Sequence, residues 1–193
     1  MIKGFPTRKD NIILAAIDII SENGIQSLST KEIAIRQGIS ESLLYKHFKS
    51  LDEVLVAVIK HFSRFDTMII NTIANRDISY KEKILEYIKS FIELYESYPA
   101  LAAIIPNYET LMHYSHTRDM VIDIIKKRSD FIVTVVKAGQ SSGNIDRYYS
   151  PQELSDIIEG TVRTVILGWK MSEYSYSLKD NLLATLRKIL DKC

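Results

Sequence analysis

Three side chains in the middle of the sequence have the types and spacing of a metal site. Glu109, His113 and His116 fall at i, i+4 and i+7, one face of a helix if the segment is continuous. A carboxylate and two imidazoles so arranged can bind zinc. The plainer reading is a polar helix face or the wall of a ligand pocket, and no metal is assigned. The chain has no His-Glu-x-x-His pair, no glycine-rich phosphate loop and no serine elbow between a strand and a helix. No catalytic set is assembled and no cofactor is implied, so the sequence does not read as an enzyme. The lone cysteine, Cys193, cannot form an intramolecular disulfide and reads as an inert end rather than a redox switch.

The more informative residues form one run, STKEIAIRQGISESLLYKHFKS, from Ser29 to Ser50. It reads as two short helices, Thr30 to Gln37 and Glu41 to Phe48, meeting at Gly38 where the backbone must turn sharply. Ile33, Ala34, Ile39, Leu44 and Phe48 are spaced to pack these helices together and onto a preceding one. Ala34 is small, as a close crossing requires. Glu41, Ser42, Leu43, Tyr45, Lys46 and His47 are left facing outward on the second helix. Side chains of these types can meet base edges and phosphates, and a helix-turn-helix presents its second helix to the DNA major groove.

The elements around this run announce their starts. Ser29 with Glu32, Ser50 with Glu53, Ser79 with Glu82 and Ser150 with Glu153 have capping-box spacing, in which hydroxyl and carboxylate each satisfy a backbone N–H. Thr7 with Asp10 and Ser177 with Asp180 are shorter versions of the same pattern. The first helix is expected from Arg8 to Asn23, with Ile13, Ala16, Ile17 and Ile20 on one face and Gly24 as its stop. A long fourth helix should run from Ser50 to about Asn75. Further helices are expected over Tyr80 to Tyr98, Arg118 to Ser142, Pro151 to Tyr174 and Leu178 to Lys192, with the Ala100 to His116 stretch split or kinked at Pro106. No strand-like alternation persists. The fold class is therefore all-α with about nine helices: a three-helix DNA-binding head over residues 1–50, fused without a flexible linker to a helical body over 51–193.

Bulk properties bound the function. With 193 residues and 46% apolar content the chain can bury a sizeable core, and only 7 glycines and 4 prolines argue against a turn-rich β fold. A net charge of +1 excludes non-specific coating of nucleic acid, so any DNA contact must be local. The N-terminal MIKGFPTRKDN lacks the apolar core of a signal peptide, and no apolar run has membrane-spanning length. A cytoplasmic protein without membrane contact is expected.

The TKEIAIRQGIS run, the LLYKHF that follows, the serine-capped LDEVL and the upstream ILAAIDIISENGI together resemble the tetracycline-repressor (TetR) family of bacterial regulators over about Thr7 to Val58. The resemblance implies a homodimer whose heads bind an inverted-repeat operator and whose body binds a small-molecule effector that releases the DNA. It implies phosphate contacts from Thr30, Lys31, Tyr45, His47 and Lys49, and base reading from Ser42, Leu43 and Lys46, with Ser40 and Glu41 in the same DNA-facing set. Two positions depart from the family: Glu41 stands where a basic residue is common, and Leu51 where a lysine often meets phosphate.

In the body, Tyr87, Phe91, Tyr95 and Tyr98 recur on one helix face. With Phe65, Met68, Tyr108, Met112, His113 and Trp169 they are candidates to line a pocket for an apolar or aromatic effector. Gly160, Thr164 and Gly168 recur every four residues, small enough for two helices to approach closely, and Leu182 and Leu186 add an apolar face on the last helix. These are the candidate dimer surfaces. Two rival readings keep parts of this picture: a ligand-independent, chromosome-organising DNA-binding factor, and a small-molecule binding protein that has lost DNA binding.

Overall fold

The computed structural model describes residues 6–193; residues 1–5, part of the stretch read as lacking a leader, lie outside the described residues. Among the described residues the chain is all-helical, without a strand. In chain order the helices are α1 (Arg8–Asn23), α2 (Thr30–Gln37), α3 (Glu41–Tyr45), α4 (Leu51–Ser63), α5 (Asp66–Ala74), α6 (Tyr80–Ser97), α7 (Pro99–Ala102), α8 (Tyr108–Met112), α9 (Ser115–Ser141), α10 (Pro151–Met171) and α11 (Leu178–Leu190), with short 3-10 turns at Ile25–Ser27 and Ile105–Asn107. None is long and apolar enough to cross a membrane.

The helix starts are held by side chains. Ser29, Ser40, Ser50, Ser79, Ser150 and Ser177 each accept a hydrogen bond from the backbone N–H three residues on. The box is reciprocal at Ser150 and Glu153 and also at Thr7 and Asp10, where the shorter carboxylate still reaches the Thr7 N–H at 2.8 Å. The Thr7 hydroxyl, donating to the same carboxylate at 2.7 Å, and that N–H hold the Asp10 carboxyl below its ordinary value. At Ser50 the carboxylate goes elsewhere: Glu53 accepts from the Lys49 N–H at 2.7 Å.

The chain forms two compact units. The first comprises the described residues up to Arg64 together with Ala100–Ile122. Its axis is α1, which buries Ile12, Ile13, Ala15, Ala16, Ile17, Ile19 and Ile20. That is more than the single face read from the sequence, because α2 and α4 both pack against it. A bidentate Arg36–Glu22 pair at 2.9 and 2.6 Å ties α2 to α1 at the surface. In α4, burial pushes the His61 imidazole down to about 4, and the Arg64 guanidinium beside it acts in the same direction. The neutral ring's Nδ1 accepts from Arg64 at 2.8 Å.

The second unit comprises Phe65–Pro99 and Asp123–Cys193. Its core is the inward stripe of α6, namely Ile84, Leu85, Tyr87, Ile88, Phe91, Ile92 and Tyr95. Helix α11 packs on α6 and α10, and α5 on α6. Leu178, Leu182, Leu186 and Leu190, four residues apart, are all buried along α11. On α9, Gly139 lets Ile145 and Tyr80 approach where a Cβ would meet the Ile145 side chain at 2.7 Å.

Three expectations are corrected. The fourth helix does not run to Asn75: it stops at Ser63 and restarts as α5 at Asp66. The Ser63 hydroxyl turns back onto the Ile59 carbonyl at 3.1 Å, a contact that bends helices. The restart puts Asp66 in a first helical turn, where an acidic side chain is favoured, and buries it against Arg128 at 2.8 Å through both carboxylate oxygens. The second correction is α3, which ends at Tyr45 rather than Phe48. Lys46 and His47 instead donate to Leu43 and Leu44, three residues back, tightening the last turn. Third, Glu109, His113 and His116 do not share a helix, since α8 ends at Met112 and α9 begins at Ser115.

Removing one partner of a buried ion pair strands the other charge. Asp66→Ala is therefore expected to destabilise by ~3–5 kcal/mol, read as a lower denaturation midpoint in urea. A change below about 1 kcal/mol would show that water reaches Arg128 freely.

Candidate DNA interface and effector site

Gly38 makes the turn between α2 and α3. It sits at φ 60, ψ 36, the left-handed region that glycine enters without a Cβ penalty. Its N–H and that of Ile39 close the end of α2 on Ile35 and Ala34. Ser40 then caps α3, and Leu44 and Phe48 anchor that short helix in the first unit's core. What remains outward is the set that the sequence marks as DNA-facing. Lys31, Ser40, Glu41, Ser42, Tyr45, Lys46 and Lys49 are exposed, and Thr30, Leu43 and His47 are half-buried. The ammonium groups of Lys31, Lys46 and Lys49 have no acidic partner among the described residues, which leaves them available to an anion.

The hydroxyls on this face already have partners. Thr30 Oγ1 donates to Glu41 Oε2 at 2.8 Å and lies 3.5 Å from the Tyr45 hydroxyl, so three candidate contacts converge at the start of α2. Ser40 and Ser42 share a hydrogen bond at 2.8 Å. Glu41, the departure from the family pattern, thus occupies the hydroxyl of a residue read as a phosphate contact. Two supporting contacts lie outside the set marked by the sequence. Arg36 and Glu22 lock α2 in orientation, and Lys9 lies 4.9 Å over the Phe48 ring. Arg36 and Glu22 are 14 positions apart, beyond any local pattern.

The candidate effector residues divide between the units. Tyr108, Met112 and His113 lie in the first, with Tyr108 edge-on to Phe62 at 6.0 Å and His113 exposed at the end of α8. His116 faces Asp52 at 3.6 Å, and no group of three metal-ligating side chains occurs among the described residues. In the second unit, Phe65 and Met68 line a groove of about 430 Å³ between α5 and α6 with Ile69, Ile73, Ser90 and Leu94. Tyr87, Phe91 and Tyr95 lie inward. The Tyr87 ring meets Phe91 at 5.1 Å and Phe131 at 4.5 Å. Arg128 lies 4.3 Å over Phe91 and donates to the Tyr95 hydroxyl at 3.3 Å. This part-buried cation and its buried Asp66 partner are too far apart in the chain for a local pattern to pair them. Trp169 is engaged apart from that cluster, donating to the Tyr176 carbonyl at 2.9 Å and packing edge-on to Tyr174.

The candidate dimer residues also separate. Gly160 and Thr164 are exposed on α10, on a stripe continued by exposed Leu167 and Met171. Gly168 lies under the Tyr176 hydroxyl. Leu182 and Leu186 are fully buried by their own chain, so they offer nothing to a second copy. The run from Gly139 to Gly143 has Gly-x-Ser-x-Gly spacing, but it closes α9, and Ser141 donates to the Lys137 carbonyl at 2.9 Å. It is not a nucleophile elbow.

Comparison with known families decides what this arrangement belongs to. Residues 12–58 match the model of bacterial regulatory proteins of the tetR family, and residues 60–191 match the C-terminal region of YsiA-like proteins. The chain belongs to the tetR family of bacterial regulatory proteins. It is a DNA-binding transcriptional regulator, and its helix-turn-helix is the α2–α3 pair. This tetR-family chain is 24% identical over 168 residues to the fatty acid metabolism regulator protein of Bacillus subtilis (strain 168), covering 86% of each. Its fold is shared with the Bacillus subtilis regulator FadR solved with stearoyl-CoA (TM-score 0.73, 24% identity, 91% of this chain and 96% of that one). It is shared also with the ketosteroid regulator KstR2 of Mycobacterium tuberculosis (TM-score 0.84, 17% identity, 98% and 96%).

The exposed lysines should separate into two classes. Lys49→Ala is expected to weaken every duplex about equally and to flatten the salt dependence by about one counterion per half-site. Lys46→Ala is expected to cost roughly 1–3 kcal/mol on the preferred operator and to relax discrimination at one base pair. Fluorescence anisotropy on operator and scrambled duplexes across a salt series checks both. Parallel loss on the two duplexes would move Lys46 to the phosphate contacts.

Proposed function

We propose that this tetR-family regulator is a homodimeric repressor that leaves an inverted-repeat operator when a largely apolar acyl thioester binds its body. The observation that carries the reading is the body match over residues 60–191, together with the likeness to a fatty acid regulator over 86% of the chain. A relative of the same fold holds stearoyl-CoA, and the groove and ring cluster of this body are lined mainly by apolar side chains.

In such a dimer two α3 helices enter successive major grooves, roughly 34–36 Å apart. Ser42, Leu43 and Lys46 read base edges, and Thr30, Lys31, Tyr45, His47 and Lys49 hold phosphates and fix the register. The thioester acts by preferring the arrangement in which the two heads no longer match that spacing, and it shifts the equilibrium only by its differential affinity. The α10 stripe of Gly160, Thr164, Leu167 and Met171 supports the dimer reading, because it is small and apolar yet uncovered in one chain.

A mobility-shift titration on DNA upstream of the chain's own reading frame tests the function. Palmitoyl-CoA should raise the apparent Kd by about 5–150-fold, the usual span of allosteric coupling, while coenzyme A alone should not. DNA binding indifferent to every acyl-CoA would favour the chromosome-organising reading, and ligand binding without DNA binding the carrier reading.

The dimer has its own test. A Cβ at Gly160 meets nothing within 4 Å, so Gly160→Leu should leave the single chain folded while pushing two α10 backbones apart. Sedimentation should then show a shift toward monomer at micromolar concentration. An unchanged dimer would count against this face.

A further inference from the structure

The hydroxyl of Tyr87 is the one buried side-chain polar atom without a hydrogen-bond partner found among the described residues. Tyr87 is 1% exposed. A buried hydroxyl left unpaired costs free energy that a phenylalanine would avoid. The surroundings make the orphan more pointed. Arg128 and Asp66 are close enough to act electrostatically on Tyr87, as are Tyr95 and Glu159, yet none of them bonds to it. Arg128 is spent on Asp66 and Tyr95, and Glu159 accepts from buried Ser155 at 3.1 Å. Burial pushes the Tyr87 pKa well above its ordinary value, so the group stays protonated and is a donor at any working pH. Its ring is walled by Phe91 and Phe131. The site thus combines apolar walls with one unsatisfied O–H.

We propose that Tyr87 is the effector-reading donor of the body: its hydroxyl donates to an uncharged carbonyl oxygen of an otherwise apolar ligand. This rests on the effector reading above and adds to it the one polar function by which the ligand is told from a plain hydrocarbon. The nearby Arg128–Asp66 pair is neutral as a unit, so the site favours an ester, thioester or keto oxygen over a carboxylate. Phe131 also floors an opening of about 590 Å³ between α5 and α9, lined by Ile70, Asp123, Lys126, Lys127, Asp130 and Thr134. One ring therefore separates that opening from the ring that bears the hydroxyl.

The test compares three ligands on the wild type and on Tyr87→Phe. Palmitoyl-CoA has the thioester carbonyl; S-hexadecyl-CoA, a thioether, keeps the chain and the head but lacks it. Androstenedione adds a keto-steroid source of the same oxygen. Isothermal titration on the wild type should favour the thioester over the thioether by about fivefold, the worth of one neutral hydrogen bond. Tyr87→Phe should erase that preference while binding the thioether as well as the wild type does. The ligand-free variant should melt no lower than the wild type, since the change only removes an unpaired group.

Three results would overturn the assignment. One is an intact thioester preference in Tyr87→Phe with acyl-CoA still bound, which leaves the effector reading standing. Another is a ligand-free variant that melts several degrees lower, which means that the protein or a fixed water already satisfies the hydroxyl. The third is failure of the wild type to bind either CoA ligand or the steroid, which removes the effector reading as well. Tight binding of androstenedione but neither CoA ligand, lost in Tyr87→Phe, would uphold the carbonyl donor and move the effector to the keto-steroid class.

Discussion

The DNA-facing surface stands on α1. A helix that buries isoleucines or alanines at seven positions between Ile12 and Ile20 has little circumference left for water. Turning it would expose side chains whose burial is worth roughly 1.5–3 kcal/mol each for isoleucine. Helices α2 and α4 both lean on it, so their directions are set by its packing. Helix α3 cannot set its own. Five residues with one buried leucine are far below what an isolated helix needs to persist. Its position comes from the left-handed turn at Gly38, the Ser40 cap, and the seats of Leu44 and Phe48. A short recognition element held in this way presents exposed side chains on a backbone that does not wander, which is what reading base edges demands.

The second unit uses length instead. Leucines every fourth residue bind α11 to its neighbours along a straight seam, and the serine-capped starts of α6, α10 and α11 fix where each seam begins. Among the described residues, this apolar interior admits the Arg128–Asp66 pair. A buried pair of this kind rarely adds net stability over well-packed apolar residues. Its role here is geometric: it fixes where α5 restarts relative to α9, and it places a guanidinium over the Phe91 ring.

What could be read from the sequence is what is local. A serine and the backbone N–H three residues on report a helix start without any knowledge of the fold, and α1, α2, α6, α10 and α11 begin where that pattern puts them. The split near Pro106 is legible for the same reason. The break after Ser63 is not, because the partner that draws Asp66 inward is 62 positions away. Apolar stripes are ambiguous in another way. Leu182 and Leu186 form as good a face as any on the chain, and periodicity cannot say whether their own chain or a second one will cover it. The aromatic candidates are ambiguous in the same way: Tyr108 and Trp169 look like pocket walls in the sequence, and in the fold Tyr108 packs on Phe62 and Trp169 on Tyr174. The helix-turn-helix was legible because its glycine, its small residue and its outward polar set all lie within about twenty positions.

The Arg128–Asp66 contact also gives the body a thermal character. The cost of stripping water from charged groups falls on warming, because their hydration carries a strongly negative entropy, whereas the apolar contribution per unit area levels off. The junction of α5 with α9 therefore gains on the leucine seams around it as temperature rises. In a warm cell the start of α5 is therefore comparatively well held, so adaptation of such a regulator to heat would keep this pair.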